Sequence, residues 1–128
     1  MARFAVLCAL VFTAAVACHR QQSNGPGFVR NVITQAQIDS TGYTNVYDVI
    51  ARLHAEFLRD RGPVSIKSNQ HGRAVVFLNA QEYGIPETLR NFPAGGVAEI
   101  RYFRGTEAVP KFGSQYGGGV IQLISRNQ

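Results

Sequence analysis

Three histidines, His19, His54 and His71, and two cysteines, Cys8 and Cys18, are the residues of this 128-residue chain best suited to hold a transition metal. No two of the histidines stand one helical turn apart, and no cysteine lies near a histidine at zinc spacing, so the sequence offers no ligand set and the histidines read as surface or packing residues. Asp39, Asp48, Glu56, Asp60, Glu82, Glu87, Glu99 and Glu107 are dispersed, which names no carboxylate pair for acid–base work. Serines occur, but none within a Gly-x-Ser-x-Gly turn that would expose it as a nucleophile. The run Gly113-Ser114-Gln115-Tyr116-Gly117-Gly118-Gly119 could bring backbone N–H groups close to a phosphate. Its context argues otherwise, because phosphate loops place their glycines before a helix and these lead into a β-branched run at Val120. The glycines Gly105, Gly113, Gly117, Gly118 and Gly119 are therefore expected to be structural, setting tight turns and close approaches. No catalytic residue, metal or cofactor is expected.

The residues alone give no reaction. Arg101, Arg104, Lys111 and Arg126, with Tyr116 among them, gather in the last third of the chain and are the candidate contacts for a partner or an anionic ligand. Thirteen Lys and Arg against eight Asp and Glu give a net charge of +5. No block of like charge exceeds two residues, which argues against a dedicated nucleic-acid patch. Length and composition support one small domain and exclude a multidomain enzyme, and the chain is too short for a membrane barrel of ~8 strands.

The first segment is not expected to belong to the fold. Arg3 precedes an uncharged, largely apolar run from Phe4 to Val16 that closes on Ala17-Cys18. A basic start, an apolar stretch and small residues at its end mark an export signal, and the run falls short of the ~20 residues that cross a bilayer. Ala15-Val16-Ala17 satisfies the rule for ordinary cleavage, while Ala15-Val16-Ala17-Cys18 resembles the lipobox of bacterial lipoproteins, with Ala15 where Leu is usual. Removing residues 1–17 would leave Cys18 as the one cysteine, and an odd thiol in an oxidising compartment implies a purpose. Cys18 is the expected lipidation site. The organisation read here is a signal over 1–17, a polar, Gly/Pro-punctuated flexible tether over 18–28 and a folded domain over 29–128.

Within that domain, Phe28 to Thr34 reads as a short strand, and Thr34 with Gln37 makes a capping box that starts a helical turn through Ile38. Val46, Val49, Ile50, Leu53 and Phe57 share one face of a helix from Asn45 to about Arg59, stopped by Gly62-Pro63. Val64 to Lys67 and Ala74 to Asn79 read as two strands in a hairpin-like pairing. Tyr83-Gly84-Ile85-Pro86 reads as a turn, and Pro86 opens a short helix to Phe92. Val97 to Arg104 reads as a strand with Ala98, Ile100 and Tyr102 on one face and Glu99, Arg101 and Phe103 on the other. One helical turn over Thr106 to Phe112, limited by Pro110, and a last strand from Val120 to Ser125 complete the order. The class is α+β: a small mixed sheet with two or three short helices.

The stretch from Val97 through Arg104-Gly105 to Phe112-Gly113, followed by Gly117-Gly118-Gly119-Val120-Ile121 and a β run to Ser125-Arg126, resembles the end of the plug domain of TonB-dependent outer-membrane receptors. That pattern is a strand ending in Arg-Gly, a segment closing on aromatic-Gly, then Gly-Gly-Val-Ile and a terminal strand. Asn45 to Leu53 resembles the plug's first helix, and Val75 to Ala80 stands where the family has a strand ending in Asp-Gly. The resemblance implies a plug-domain-like fold and no catalysis. It places partner contacts on the outer side of Arg101 to Arg104 and on the 112–119 loop. In the receptors the plug fills a barrel on the same chain, whereas this sequence runs to Gln128 without one, so no transport is expected of it alone.

Two expectations follow. The first is a lipid-anchored, plug-like binding module of the bacterial outer membrane facing the periplasm, accessory to receptor-mediated uptake, which binds an outer-membrane or periplasmic protein (a receptor or an energiser) or a small ligand, and not a nucleic acid. The second is a soluble periplasmic domain that uses the same fold to bind an anionic ligand or a protein partner.

Overall fold

The computed structural model describes residues 31–62 and 72–126. Five strands form one mixed sheet in the order β1-β4-β5-β2-β3, with helices on both faces, an α+β architecture. The strands are β1 (Val32–Thr34), β2 (Val75–Leu78), β3 (Gln81–Gly84), β4 (Val97–Phe103) and β5 (Val120–Ser125), and the helices are α1 (Gln35–Thr41), α2 (Val46–Leu53) and α3 (Gly105–Phe112). β5 pairs antiparallel with β4 and parallel with β2, and Val75 N–H to the Gly119 carbonyl and Asn79 N–H to the Leu123 carbonyl bracket the parallel ladder.

α1 starts where the capping pair predicts. The Thr34 backbone N–H donates to Gln37 Oε1 at 2.9 Å, and the helix runs past Ile38 to Thr41, where Gly42 at φ 68° closes it. At α2, Asn45 Oδ1 accepts the Asp48 N–H at 2.9 Å and the Asn45 amide donates to the Asp48 carboxylate at 2.7 Å, so one side chain satisfies the first turn and orders its acid. Replacing Asn45 with alanine is expected to cost about 1 kcal/mol, read as a lower urea midpoint with unchanged slope. An unshifted midpoint would show the cap to be dispensable.

Three expectations need correction. The helix expected to run to about Arg59 ends at Leu53, because His54 leaves helical dihedrals (φ −146°, ψ 61°) and the chain tightens into a 3-10 turn over Ala55–Leu58. That break sets the Phe57 ring parallel to Tyr102 at 4.4 Å, fully buried, and leaves Leu53 exposed. The hairpin partner of β2 is β3, reached through Asn79-Ala80 with Asn79 at φ 56°, so Gln81 to Gly84 is a strand where a turn was expected to begin at Tyr83. β3 is an edge strand with no buried side chain, hence without apolar alternation. α3 spans two turns rather than one, with Pro110 inside it at the loss of one helical hydrogen bond. The strand expected at Val64 to Lys67 and the strand residues expected before Asn31 lie outside the described residues.

The sheet buries both faces unequally. On its front face Ile33, Ile100, Tyr102, Ile121, Leu123 and Val76 meet Ile38, Val46, Val49, Ile50, Phe57 and Leu89 in the main core. On the back, Phe77 and Val120 meet Ala108 and Tyr116 in a smaller core, with Val75, Phe103 and Phe112 against it. α3 covers one half of that back face; by strand register Val32, Thr34, Glu99, Arg101, Gln122 and Ile124 occupy the other.

Candidate functional site

The segment that carries the family-like pattern is one mechanical unit: β4, α3, a glycine loop and the return along β5. Its glycines are required by contact. A Cβ on Gly105 would stand 2.0 Å from the Gly117 carbonyl oxygen, and one on Gly118 would stand 2.2 Å from the Arg73 carbonyl oxygen, distances that no side chain can occupy. Gly113 (φ 126°) and Gly119 (φ 106°) hold dihedrals that L-residues rarely adopt, and a Cβ on Gly119 would also meet the Phe103 carbonyl at 2.8 Å. Gly117 has ordinary helical dihedrals (φ −59°, ψ −21°) and serves as the wall that Gly105 approaches.

The cations named from sequence are distributed around this unit. Arg101 lies on the half of the back face away from α3 and donates to both oxygens of Glu99, a pairing that raises its pKa further. Arg104, exposed, precedes α3, and its backbone N–H donates to the Glu107 carboxylate at 3.3 Å. Lys111 places its ammonium 4.2 Å from the Phe103 ring centre and 5.5 Å from that of Phe112. Arg126 donates to the Val97 carbonyl at 3.0 Å and to the Asp39 carboxylate, tying the end of β5 to α1. Among the described residues no hydrogen bond or ion pair joins any two of these cations to a common group. Arg101 and Arg126 already hold carboxylates, Glu99 and Asp39.

Tyr116 is a packing residue with a polar tip. Its ring stands edge-on to Phe77 at 5.3 Å and to Phe112 at 6.3 Å, and its hydroxyl donates to Glu82 of β3 at 2.5 Å. That hydrogen bond to a carboxylate raises the phenol's pKa, and burial raises that of Tyr102. In the unfolded chain both phenols ionise near pH ~10; the folded chain holds their protons longer, so their contribution is complete below that pH and is lost as pH rises through the folded values. Thermal melts from about pH 8 to about pH 11 should fall on the alkaline side, and less steeply in Tyr116→Phe. Identical alkaline limbs would deny the Tyr116–Glu82 bond.

His54 bonds Glu56 through Nδ1 at 2.8 Å and stacks on Phe57 at 4.7 Å, and Glu56 titrates below its ordinary range chiefly through that hydrogen bond. Among the described residues no group of three or more His, Cys, Asp or Glu side chains is placed to hold a metal. Cys18, His19 and His71 lie outside them.

A feature passed over in the sequence is the rim where α2, the Pro86–Asn91 3-10 turn and β3 meet. The Arg90 guanidinium lies 3.8 Å above the Tyr47 ring, and Tyr83 stands edge-on to Phe92 at 4.6 Å. Tyr83 and Ile85 are 52% and 53% exposed. No signal in the sequence marked it: residues 83–92 hold one tyrosine, one phenylalanine and one arginine, and Tyr47 joins them only in the fold. Against protein-family models, curated proteins and solved structures alike, comparison of the chain finds no match.

Proposed function

We propose that this chain is a non-enzymatic, plug-like binding module, held by a lipid on Cys18 at the bacterial outer membrane facing the periplasm, where it engages a membrane or periplasmic protein as an accessory to receptor-mediated uptake. What supports the reading is the last third of the chain. The residues that carry the resemblance, Arg104-Gly105, Phe112-Gly113 and Gly117 to Ile121, fall on successive joints of a single strand–helix–loop–strand unit, and Gly105, Gly113, Gly118 and Gly119 are constrained by contact or dihedral. A pattern of residues that each serve a joint is more specific than a shared composition.

The reading of a soluble anion-binding domain rests on Arg101, Arg104, Lys111 and Arg126 acting together. It is the weaker of the two because Glu99 and Asp39 already neutralise half of that set. Chemical crosslinking in intact membranes at native expression tests the leading reading. It should give an adduct with an envelope protein that Cys18→Ser abolishes by releasing the module from the membrane; recovery of the monomer alone would contradict it.

A further inference from the structure

We propose that the rim formed by Tyr47, Arg90, Phe92, Tyr83 and Ile85 is the surface on which the protein partner docks, with a carboxylate of that partner seated on Arg90 between apolar side chains. The inference rests on the binding-module reading and names its contact surface and the chemistry of what meets it.

Shape and rigidity come first. The Phe92 carbonyl accepts the Val46 N–H at 3.0 Å and the Ala94 N–H donates to the Thr44 carbonyl at 2.9 Å, so the start of α2 and the end of the 86–92 segment are stapled together. Tyr47 and Phe92 are partly buried against the main core, which fixes the inner half of the rim, while Tyr83 and Ile85 stand outward as its most exposed apolar groups. Aromatic side chains on a fixed base bind at a small entropic cost, and tyrosine and arginine dominate interface energetics.

Charge then selects the partner. Arg73, Arg101 and Arg126 each hold a carboxylate, whereas Arg90, like Arg104 and Lys111, enters no ion pair among the described residues; Arg90 is the one of these three that stands in the rim. The acids nearest in sequence are engaged elsewhere, Glu87 with Arg73 and Glu82 with the Tyr116 hydroxyl. A guanidinium stacked on a ring still offers N–H donors along its edge, and their fork geometry matches one carboxylate. A phosphate-rich surface would call for several cations together, which this rim does not supply. Strand addition to β3 is disfavoured because the pairing with β2 is bulged at Tyr83, between Glu82 and Gly84, so contact is made by side chains rather than by extending the sheet.

A photocrosslinking phenylalanine derivative placed at Tyr83 of the full chain in its own cells tests this, with the same probe at exposed Val109 on α3 as comparison. The probe at Tyr83 should give an adduct whose crosslinked partner peptide contains Asp or Glu. Arg90→Glu should lower its yield about tenfold, and changing that partner acid to Arg should restore it. A thermal melt of Arg90→Glu checks folding, with Arg90→Gln as the substitute if it fails. Adducts from Val109 and none from Tyr83 would overturn the surface while leaving a binding module in place. No adduct from either position would overturn the module as well. Adducts insensitive to Arg90→Glu, or formed only with lipid or a second copy of this chain, would overturn the assignment of an acidic protein partner.

Discussion

Gly118→Ala is expected to lose about 3 kcal/mol of stability or more, from the addition of one methyl group. The reason is local and geometric. The new Cβ would lie 2.2 Å from the Arg73 carbonyl oxygen and 3.0 Å from the Arg73 nitrogen, and the obstacle is backbone, which cannot rotate away as a side chain would. Relief requires moving the glycine loop off the chain that enters β2, and that loop supplies the Gly119 carbonyl on which the parallel β2–β5 ladder starts. Gly105→Ala should behave alike, since its Cβ would meet the Gly117 carbonyl oxygen at 2.0 Å. Gly95→Ala is the matched control: nothing lies within 4 Å of its added Cβ, and its midpoint should stay within about 0.5 kcal/mol of the parent. Urea unfolding of the three variants separates the outcomes. Equal midpoints for Gly118→Ala and Gly95→Ala would refute the close approach.

Leu123→Ala should be comparably severe, by creating a cavity instead of a clash. Leu123 is fully buried in β5, opposite Ile100 of β4 and Leu78 of β2, and so stands at the centre of the front-face core. Truncating such a leucine costs about 2–5 kcal/mol, a large share of the ~5–15 kcal/mol that stabilises a domain, and lowers Tm on the order of 15 °C. Ile124, one position on, points to the half of the back face away from α3 and is only partly buried, so Ile124→Ala should cost about 1 kcal/mol or less. The contrast reads out the strand's facing directly: equal losses at Leu123 and Ile124 would mean that both faces are equally covered.

Legibility in the sequence followed the range of the interactions. The Thr34–Gln37 pair acts over three residues and was readable as letters; β4 and β5 announced themselves by composition. The alternation assigned to β4 also holds on its inner side, where Ile100 and Tyr102 are buried, although a bulge at Ala98 interrupts it at the start. β3 was hidden because an edge strand of Gln, Glu, Tyr and Gly needs no apolar face, and its turn is Asn79-Ala80 rather than a dipeptide of strong turn formers. The break at His54 was invisible because the apolar spacing continues through Phe57, whose stacking partner Tyr102 stands 45 residues further along the chain.

The candidate site divides the same way. Glycines could be singled out from spacing and resemblance, while the contacts that constrain them, Gly105 on Gly117 and Gly118 on Arg73, are tertiary. Whether a cation is paired cannot be read along a chain: Arg126 finds its carboxylate at Asp39, 87 positions earlier, whereas Arg90 finds an aromatic ring and, among the described residues, no acid.

The measurement that bears most directly on an anchored module is the intact mass of the mature protein purified from its own cells. A mass that begins at Cys18 and carries a diacylglyceryl group and an acyl chain is the predicted result, and it places the folded domain at the membrane on a short leash. A mass without lipid, beginning at Cys18 or elsewhere, would contradict the anchored module, and a retained 1–17 segment would contradict the reading of that segment as a signal.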